Sequence, residues 1–381
     1  ENVDRAQMAK MLSVIMNKGV DNSALYQSVN SGLTDITSNW AKGHINYCYT
    51  TGIIAGRGNG TFDPSATVTA LEAAKMLLVA VGYDPKIEGF EGADWAINVS
   101  VRADEQGIFE GFTKDLSAPL NRDDAALLIY NALDVEMIQS YTTNNYPIAY
   151  SDHRTILADK YGVIKVQGVV VANEWASLAS DDGDAALKEG KTTIYNGEGI
   201  FSTTGNTTVS KEDASLKTQT FNVSTPVDML GKTVNLYIKK TTILADSTVY
   251  GDPVVSDVNT VVTTGETVLY SGAKDPQVDY DKLLGENGLT DKDAKYFWNY
   301  NSGKYIPNTT EKYGDKTANV KGATLTIIDN NGDGEVDYVL SVEKALADIT
   351  SVNSKKETVT VRTLGTLDNK DVVGYEDMAK E

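Results

Sequence analysis

The sequence has 381 residues, which suits two or three domains better than one. A formal net charge of −19 excludes nucleic-acid binding through the overall field, and 41% hydrophobic with 23% charged residues is the balance of a folded chain. A single cysteine, Cys48, excludes a disulfide framework. No run approaches the roughly 18 apolar residues of a membrane-spanning helix.

The chain opens on ENVDRAQ, already at a helix start, and ends on VVGYEDMAKE after a strand, so a trimmed piece of a longer protein is expected. At Asp4-Arg5-Ala6-Gln7 a capping residue is followed three positions later by an amide, ahead of the apolar Met8, Met11, Leu12 and Ile15. The same device stands at Thr69-Ala70-Leu71-Glu72, before Met76 and Leu77, and at Asn121-Arg122-Asp123-Asp124, before Leu127 and Leu128. Three capped helix starts point to an internal repeat. A second helix precedes the later two, beginning at Trp40-Ala41 and at Trp95-Ala96. Each ends at a glycine suited to the left-handed C-cap, Gly52 and Gly107, with a further glycine four residues on, Gly56 and Gly111. Cys48 falls inside the apolar pattern and is expected to be a buried small hydrophobe.

These residues resemble the S-layer homology (SLH) family. The quoted stretches are LTDITSNWA from Leu33, GIIAG from Gly52, GNGTFDP from Gly58 and VTALE from Val68, with further helix starts VDRAQ and LNRDD. The resemblance covers roughly residues 1 to 138 and implies an all-α bundle of three repeats. It also implies a location at the bacterial cell surface and binding of cell-wall polysaccharide, often a pyruvylated one. On this reading 1–31 is a partial repeat, 32–88 and 89–140 are two more, 141–346 is β-rich and 347–381 begins a further β domain. A helix N-terminus with an arginine suits a carboxylate. The candidate polysaccharide contacts are therefore Arg5, Trp40, Arg57, Trp95 and Arg122, with core packing as the other reading of the tryptophans. The middle copy carries Ala70 where the family has arginine, so its careful helix start serves folding.

Past the polar stretch SYTTNNYPIAYSD the helical period ends. VIKVQGVVVANE, TVNLYIKK and TLTII read as strands, the second with Val234, Leu236 and Ile238 on one face. An antiparallel β sandwich or barrel-like region is expected, making the chain α+β and multidomain. Asp329, Asn331, Asp333, Glu335 and Asp337 occupy alternate positions of a Gly-bearing loop that matches the first nine positions of an EF-hand. Strands flank it, so a calcium loop joining two strands is expected, against a plain acidic turn. No nucleophile–base or zinc-protease signature occurs, and no enzyme is expected. The expected function is a self-assembling S-layer-type surface protein. The alternative is a wall-anchored enzyme or adhesin whose active part lies elsewhere.

Overall fold

A computed structural model describes residues 1–178, 186–197, 202–204, 217–239, 246–264, 280–301, 304–307, 324–342, 347–355 and 358–363. Residues 364–381, within the expected further β domain, lie outside these. The chain divides into two compact units, one built on Glu1–Lys165 and the other on most residues from Val166 onward.

In the first unit the helices are α1 (Arg5–Met16), α2 (Lys42–Thr50), α3 (Ala70–Ala80), α4 (Trp95–Glu105) and α5 (Arg122–Leu133). All three expected capping boxes are formed. Asp4 accepts from the Gln7 amide at 2.7 Å, Thr69 from Glu72 at 3.2 Å and Asn121 from Asp124 at 2.9 Å. Each N3 side chain reaches back to its cap.

The residues just before the caps form a closed ring of backbone hydrogen bonds. Val3 donates to the Leu120 carbonyl at 2.8 Å, Leu120 to Val68 at 2.8 Å, and Val68 to Val3 at 2.9 Å. All three side chains are buried. The ring brings three helix starts together around one pseudo-threefold axis. Around it α2 packs on α1, and α4 packs on α3. Leu12, Ile45, Cys48, Phe62, Leu78, Phe90 and Leu128 share one apolar core, and Cys48 is buried as expected. A short hairpin, β1 (Ile138–Tyr141) with β2 (Pro147–Ala149), closes against this unit through the Ile138 amide, which donates to Val81 at 2.9 Å.

The strands that follow are β3 (Val163–Ala172), β4 (Thr192–Tyr195), β5 (Ser202–Thr204), β6 (Thr218–Phe221), β7 (Thr233–Lys239), β8 (Thr248–Val255) and β9 (Thr260–Thr263). After α6 (Tyr280–Glu286) come β10 (Lys295–Asn301), β11 (Lys304–Pro307), β12 (Thr324–Asp329), β13 (Tyr338–Val342), β14 (Ala347–Asn353) and β15 (Thr358–Thr363). One sheet runs β6-β4-β3-β7-β8 and another β11-β10-β13-β12-β9. Val234, Leu236 and Ile238 of β7 are buried, as their alternation predicts. Pro253 lies in β8, an edge strand, where a missing N–H costs no ladder bond.

The fold is mixed α+β. Two features depart from the expected antiparallel sandwich or barrel. Neither sheet closes into a barrel among the described residues, and β10 pairs with β13 in parallel. Hydrophobic alternation reports a strand's faces but not its neighbours, so the β10–β13 crossover is invisible in it.

Candidate functional site

A cleft of about 530 Å³ lies in the first unit, within the range of small-ligand sites. Its walls are Arg5 at the start of α1, the loop from Ile53 to Gly58, Glu72, Lys75 and Met76 on α3, and the segment from Phe90 to Trp95. The loop turns sharply there: the Arg57 amide donates to Thr61 at 2.8 Å. A Cβ on Gly56 would meet the Thr61 carbonyl at 2.8 Å, so only glycine fits.

Arg5 is the innermost cation, only 4% exposed. Its Nε donates to the Phe62 carbonyl and its Nη2 to the Ala55 carbonyl, both at 2.9 Å, and its guanidinium lies 4.4 Å over the Phe62 ring. Burial, with Arg57 nearby, pushes its pKa down to about 10. Arg5 thus holds the glycine-rich loop against α1.

Arg57 is part exposed; it donates to Glu72 at 3.1 Å and lies 3.8 Å from Asp63. Glu72 therefore serves both as N3 of the α3 capping box and as an ion-pair partner. Lys75 completes the set. Its Nζ sits 5.7 Å over the Trp95 ring, and burial lowers its pKa. Three cations, Arg5, Arg57 and Lys75, line the cleft with two carboxylates, Glu72 and Glu91, and Asp63 stands beside Arg57, so the cleft gathers cations and their counter-charges on a strongly acidic chain. A flat aromatic beside two reachable cations can take a sugar face and an acidic group together.

Of the five expected contacts, Arg5, Arg57 and Trp95 meet in this cleft; Trp40 and Arg122 do not line it. Trp40 precedes α2 and is 57% exposed, against the core reading, because the helix starts two residues later and turns Ala41, His44, Ile45 and Cys48 inward instead. Lys10 lies 5.8 Å over its ring. The Arg122 side chain is 68% exposed, 3.8 Å from Glu1. Sequence reasoning missed Lys75. The available signal was register: Lys10 and Lys75 both stand six residues after a cap.

In the loop joining β12 to β13, Asp329 accepts from the amides of Asn331 (3.1 Å), Gly332 (2.7 Å) and Gly334 (3.0 Å), and Asp337 from Asn330 (2.8 Å). Asp333 accepts from Glu335, and Glu335 pairs with Lys292. Strands do flank the loop. Its oxygens face backbone amides, and no group of three or more His, Cys, Asp or Glu among the described residues is arranged to hold a metal.

No helix among the described residues is long and apolar enough to cross a membrane. The family model described as S-layer homology domain matches residues 32–74. Over 202 residues the chain is 27% identical to the "Cell surface protein" of Thermoanaerobacter kivui, which takes in 53% of this chain and 24% of that protein. Similarity to the "Surface-layer 125 kDa protein" of Lysinibacillus sphaericus, 25% identical over 337 residues, takes in 77% of this chain and 28% of that one. "Exoglucanase XynX" of Acetivibrio thermocellus is 28% identical over 130 residues, 32% of this chain and 12% of the enzyme. In each case the chain spans less than a third of the relative's length. Through residues 32–74 the chain carries an S-layer homology domain, and its place is the extracellular cell surface.

Proposed function

We propose that this protein is a structural, S-layer-type component held to the cell wall through an all-α bundle of SLH repeats spanning residues 1–31, 32–88 and 89–140. The cleft between Arg57, Lys75 and Trp95 binds the wall polysaccharide, with the cations taking an acidic group such as a ketal-linked pyruvate. The carrying observation is the pairing of a cation–π lysine and tryptophan with a part-exposed arginine in one cleft. Arg5 supports this site from behind. The β-rich part, residues 141–346 and the strands beyond, serves self-assembly. What favours a structural role over an anchored enzyme is extent: the surface-layer similarity takes in 77% of this chain and the exoglucanase similarity 32%.

The test is co-sedimentation with purified wall sacculi, with and without removal of the polysaccharide. The parent is expected to pellet only when polysaccharide is present, and Arg57→Ala combined with Lys75→Ala to stay in solution. Equal pelleting of parent and double variant would overturn the assignment of this cleft. Pelleting of neither would overturn wall binding and leave the repeats as assembly modules.

Calcium is proposed for the loop of Asp329, Asn331, Asp333, Glu335 and Asp337. The support is the alternate spacing of oxygen-bearing side chains in one loop between β12 and β13; burial first, and then Asp329, Asp333 and Glu335, raise the pKa of Asp337 against the opposing hydrogen bond from the Asn330 amide. Binding requires the loop carboxylates to turn from backbone amides toward one centre. Millimolar calcium is expected to raise the melting midpoint of the β-rich unit, and Asp329→Asn to abolish the rise. Identical midpoints in calcium and in chelator would refute it.

A further inference from the structure

Four asparagines of the chain precede a glycine: Asn59, Asn196, Asn287 and Asn331. An Asn-Gly pair can react with itself, because glycine has no side chain to shield its own nitrogen from the preceding carboxamide. The fold treats the four differently. In three the carboxamide nitrogen is held. Asn196 Nδ2 donates to the Gln167 carbonyl at 3.2 Å, Asn287 Nδ2 to the Leu283 carbonyl at 2.8 Å and Asn331 Nδ2 to Asp333 at 3.1 Å. The Gly332 amide, the nitrogen that would attack Asn331, is itself held by Asp329 at 2.7 Å.

Asn59 is arranged the other way round. Its Oδ1 accepts from the Thr61 amide at 3.1 Å and from the Thr61 hydroxyl at 2.6 Å. A backbone N–H is taken only by the oxygen, so the carboxamide's orientation is fixed. The turn folds that carboxamide back over the Gly60 peptide unit. Neither Asn59 Nδ2 nor the Gly60 amide finds a partner among the described residues. Both residues are exposed, and Gly60 has a φ of +83° with open space where a side chain would stand. The attacking nitrogen and the departing nitrogen are free, and the carbonyl between them is polarised by two donors.

We propose that Asn59-Gly60 is a self-modifying site, at which Asn59 becomes aspartate and isoaspartate and the loop carrying Arg57 opens. The Gly60 nitrogen gives its proton to a solvent base and bonds to Asn59 Cγ. Charge gathers on Oδ1, where the two Thr61 donors hold it. The Cγ–Nδ2 bond breaks, and Nδ2 takes a proton from water and leaves as ammonia. Water then opens the cyclic imide. Opening at Cγ gives aspartate. Opening at the Asn59 main-chain carbonyl gives isoaspartate, whose backbone runs through Cβ and Cγ and is one atom longer. The loop has no slack for that atom. The Arg57 amide donates to Thr61 at 2.8 Å, Gly56 packs on the same carbonyl, and Asp35 holds the Phe62 and Asp63 amides at 2.9 and 2.7 Å. Lengthening the backbone between Arg57 and Thr61 breaks their pairing. A weaker grip on the wall then follows from the cleft reading above; the modification itself does not rest on it.

The purified chain is aged in mildly alkaline buffer, folded and in urea, and its peptides are mapped by electron-transfer fragmentation. In the folded chain Asn59 is expected to convert about tenfold or more faster than Asn331, and Thr61→Val to slow it severalfold. In urea the two sites are expected to converge. Asn331 keeping pace with Asn59 in the folded chain would overturn the proposal, as would a Thr61→Val rate equal to the parent's. The aged form gains a negative charge and separates by ion exchange. Its urea midpoint, read by labelling of buried Cys48, is expected to fall below that of the fresh chain. Aged Asn59→Gln keeps its midpoint, because glutamine must close a larger ring. An unchanged midpoint in the isoaspartate form would refute the opening of the loop. Pelleting with sacculi is read separately. A fresh parent that stays in solution overturns the cleft reading alone, with the mapping and the midpoint still deciding this proposal.

Discussion

Replacing Arg5 by alanine separates a residue that builds the cleft from one that uses it. The side chain makes two hydrogen bonds of 2.9 Å from a charged donor, one to the buried Phe62 carbonyl and one to the part-buried Ala55 carbonyl, and a cation–π contact at 4.4 Å. Hydrogen bonds to charged groups contribute about 1.5–3 kcal/mol each and the ring contact about 0.5–2 kcal/mol. Against this stands the cost of holding a guanidinium out of water, expressed in its lowered pKa. The expected net loss for Arg5→Ala is about 2–4 kcal/mol, chiefly because the buried Phe62 carbonyl is left unpaired. Arg57→Ala, which breaks a part-exposed ion pair, is expected to cost less than about 1 kcal/mol. A two-unit chain has no single unfolding free energy, so the readout must report the first unit alone. Cys48 does so: it is the one thiol in the chain and lies in that unit's core. Thiol labelling across a urea series gives the midpoint for each variant. If Arg5→Ala unfolds within about 1 kcal/mol of the parent, the reading of Arg5 as a structural clamp is wrong.

Two further outcomes follow from the same unit. A Cβ on Gly43 would stand 2.1 Å from the Ser23 carbonyl, so Gly43→Ala must push α2 off the turn at Ser23–Tyr26. It is expected to lower stability by about 1–3 kcal/mol, and a variant as stable as the parent in the same thiol assay would contradict the packing. His44 sits in the core against Ser13, 3.6 Å from Asp21, and burial, with Lys10, holds its pKa below the ordinary 6.5 against the opposing pull of Asp21. The unfolded chain then binds more protons than the folded one below about pH 6.5, so stability falls as pH drops through that value and is kept above it. His44→Gln is expected to flatten this dependence between about pH 7 and 5; an unchanged slope would assign it to other groups.

How much of this was legible in the sequence depends on the range of the interaction. Capping boxes are local, so Asp4, Thr69 and Asn121 announced their helices, and β7 announced its buried face through Val234, Leu236 and Ile238. Arg5 was found as a candidate but its role was not, because an arginine in a first helical turn reads the same whether it points to solvent or back into a loop fifty residues away. For Trp40 the sequence left a sugar contact and a core position open, and only the helix boundary two residues later, which rotates the aromatic outward, decides against the core. Lys75 was passed over because nothing in its neighbours in the chain shows that Trp95 lies beneath it. The parallel β10–β13 pair is likewise a property of topology, not of either strand's composition.

The ring of Val3, Val68 and Leu120 also sets the order in which this unit can form. Each member gives one bond and takes one, and the three are contributed by segments far apart in the chain. A polypeptide that emerges N-terminus first has Val3 and Val68 available well before Leu120. Until Leu120 arrives two of the three bonds cannot exist, although α1 can already close on α2 and on the loop that Arg5 grips. Loop closure must be completed before the core repays it. The ring itself is completed only when the whole span from Val3 to Leu120 is present in one place, so any break within that span removes two of its bonds together.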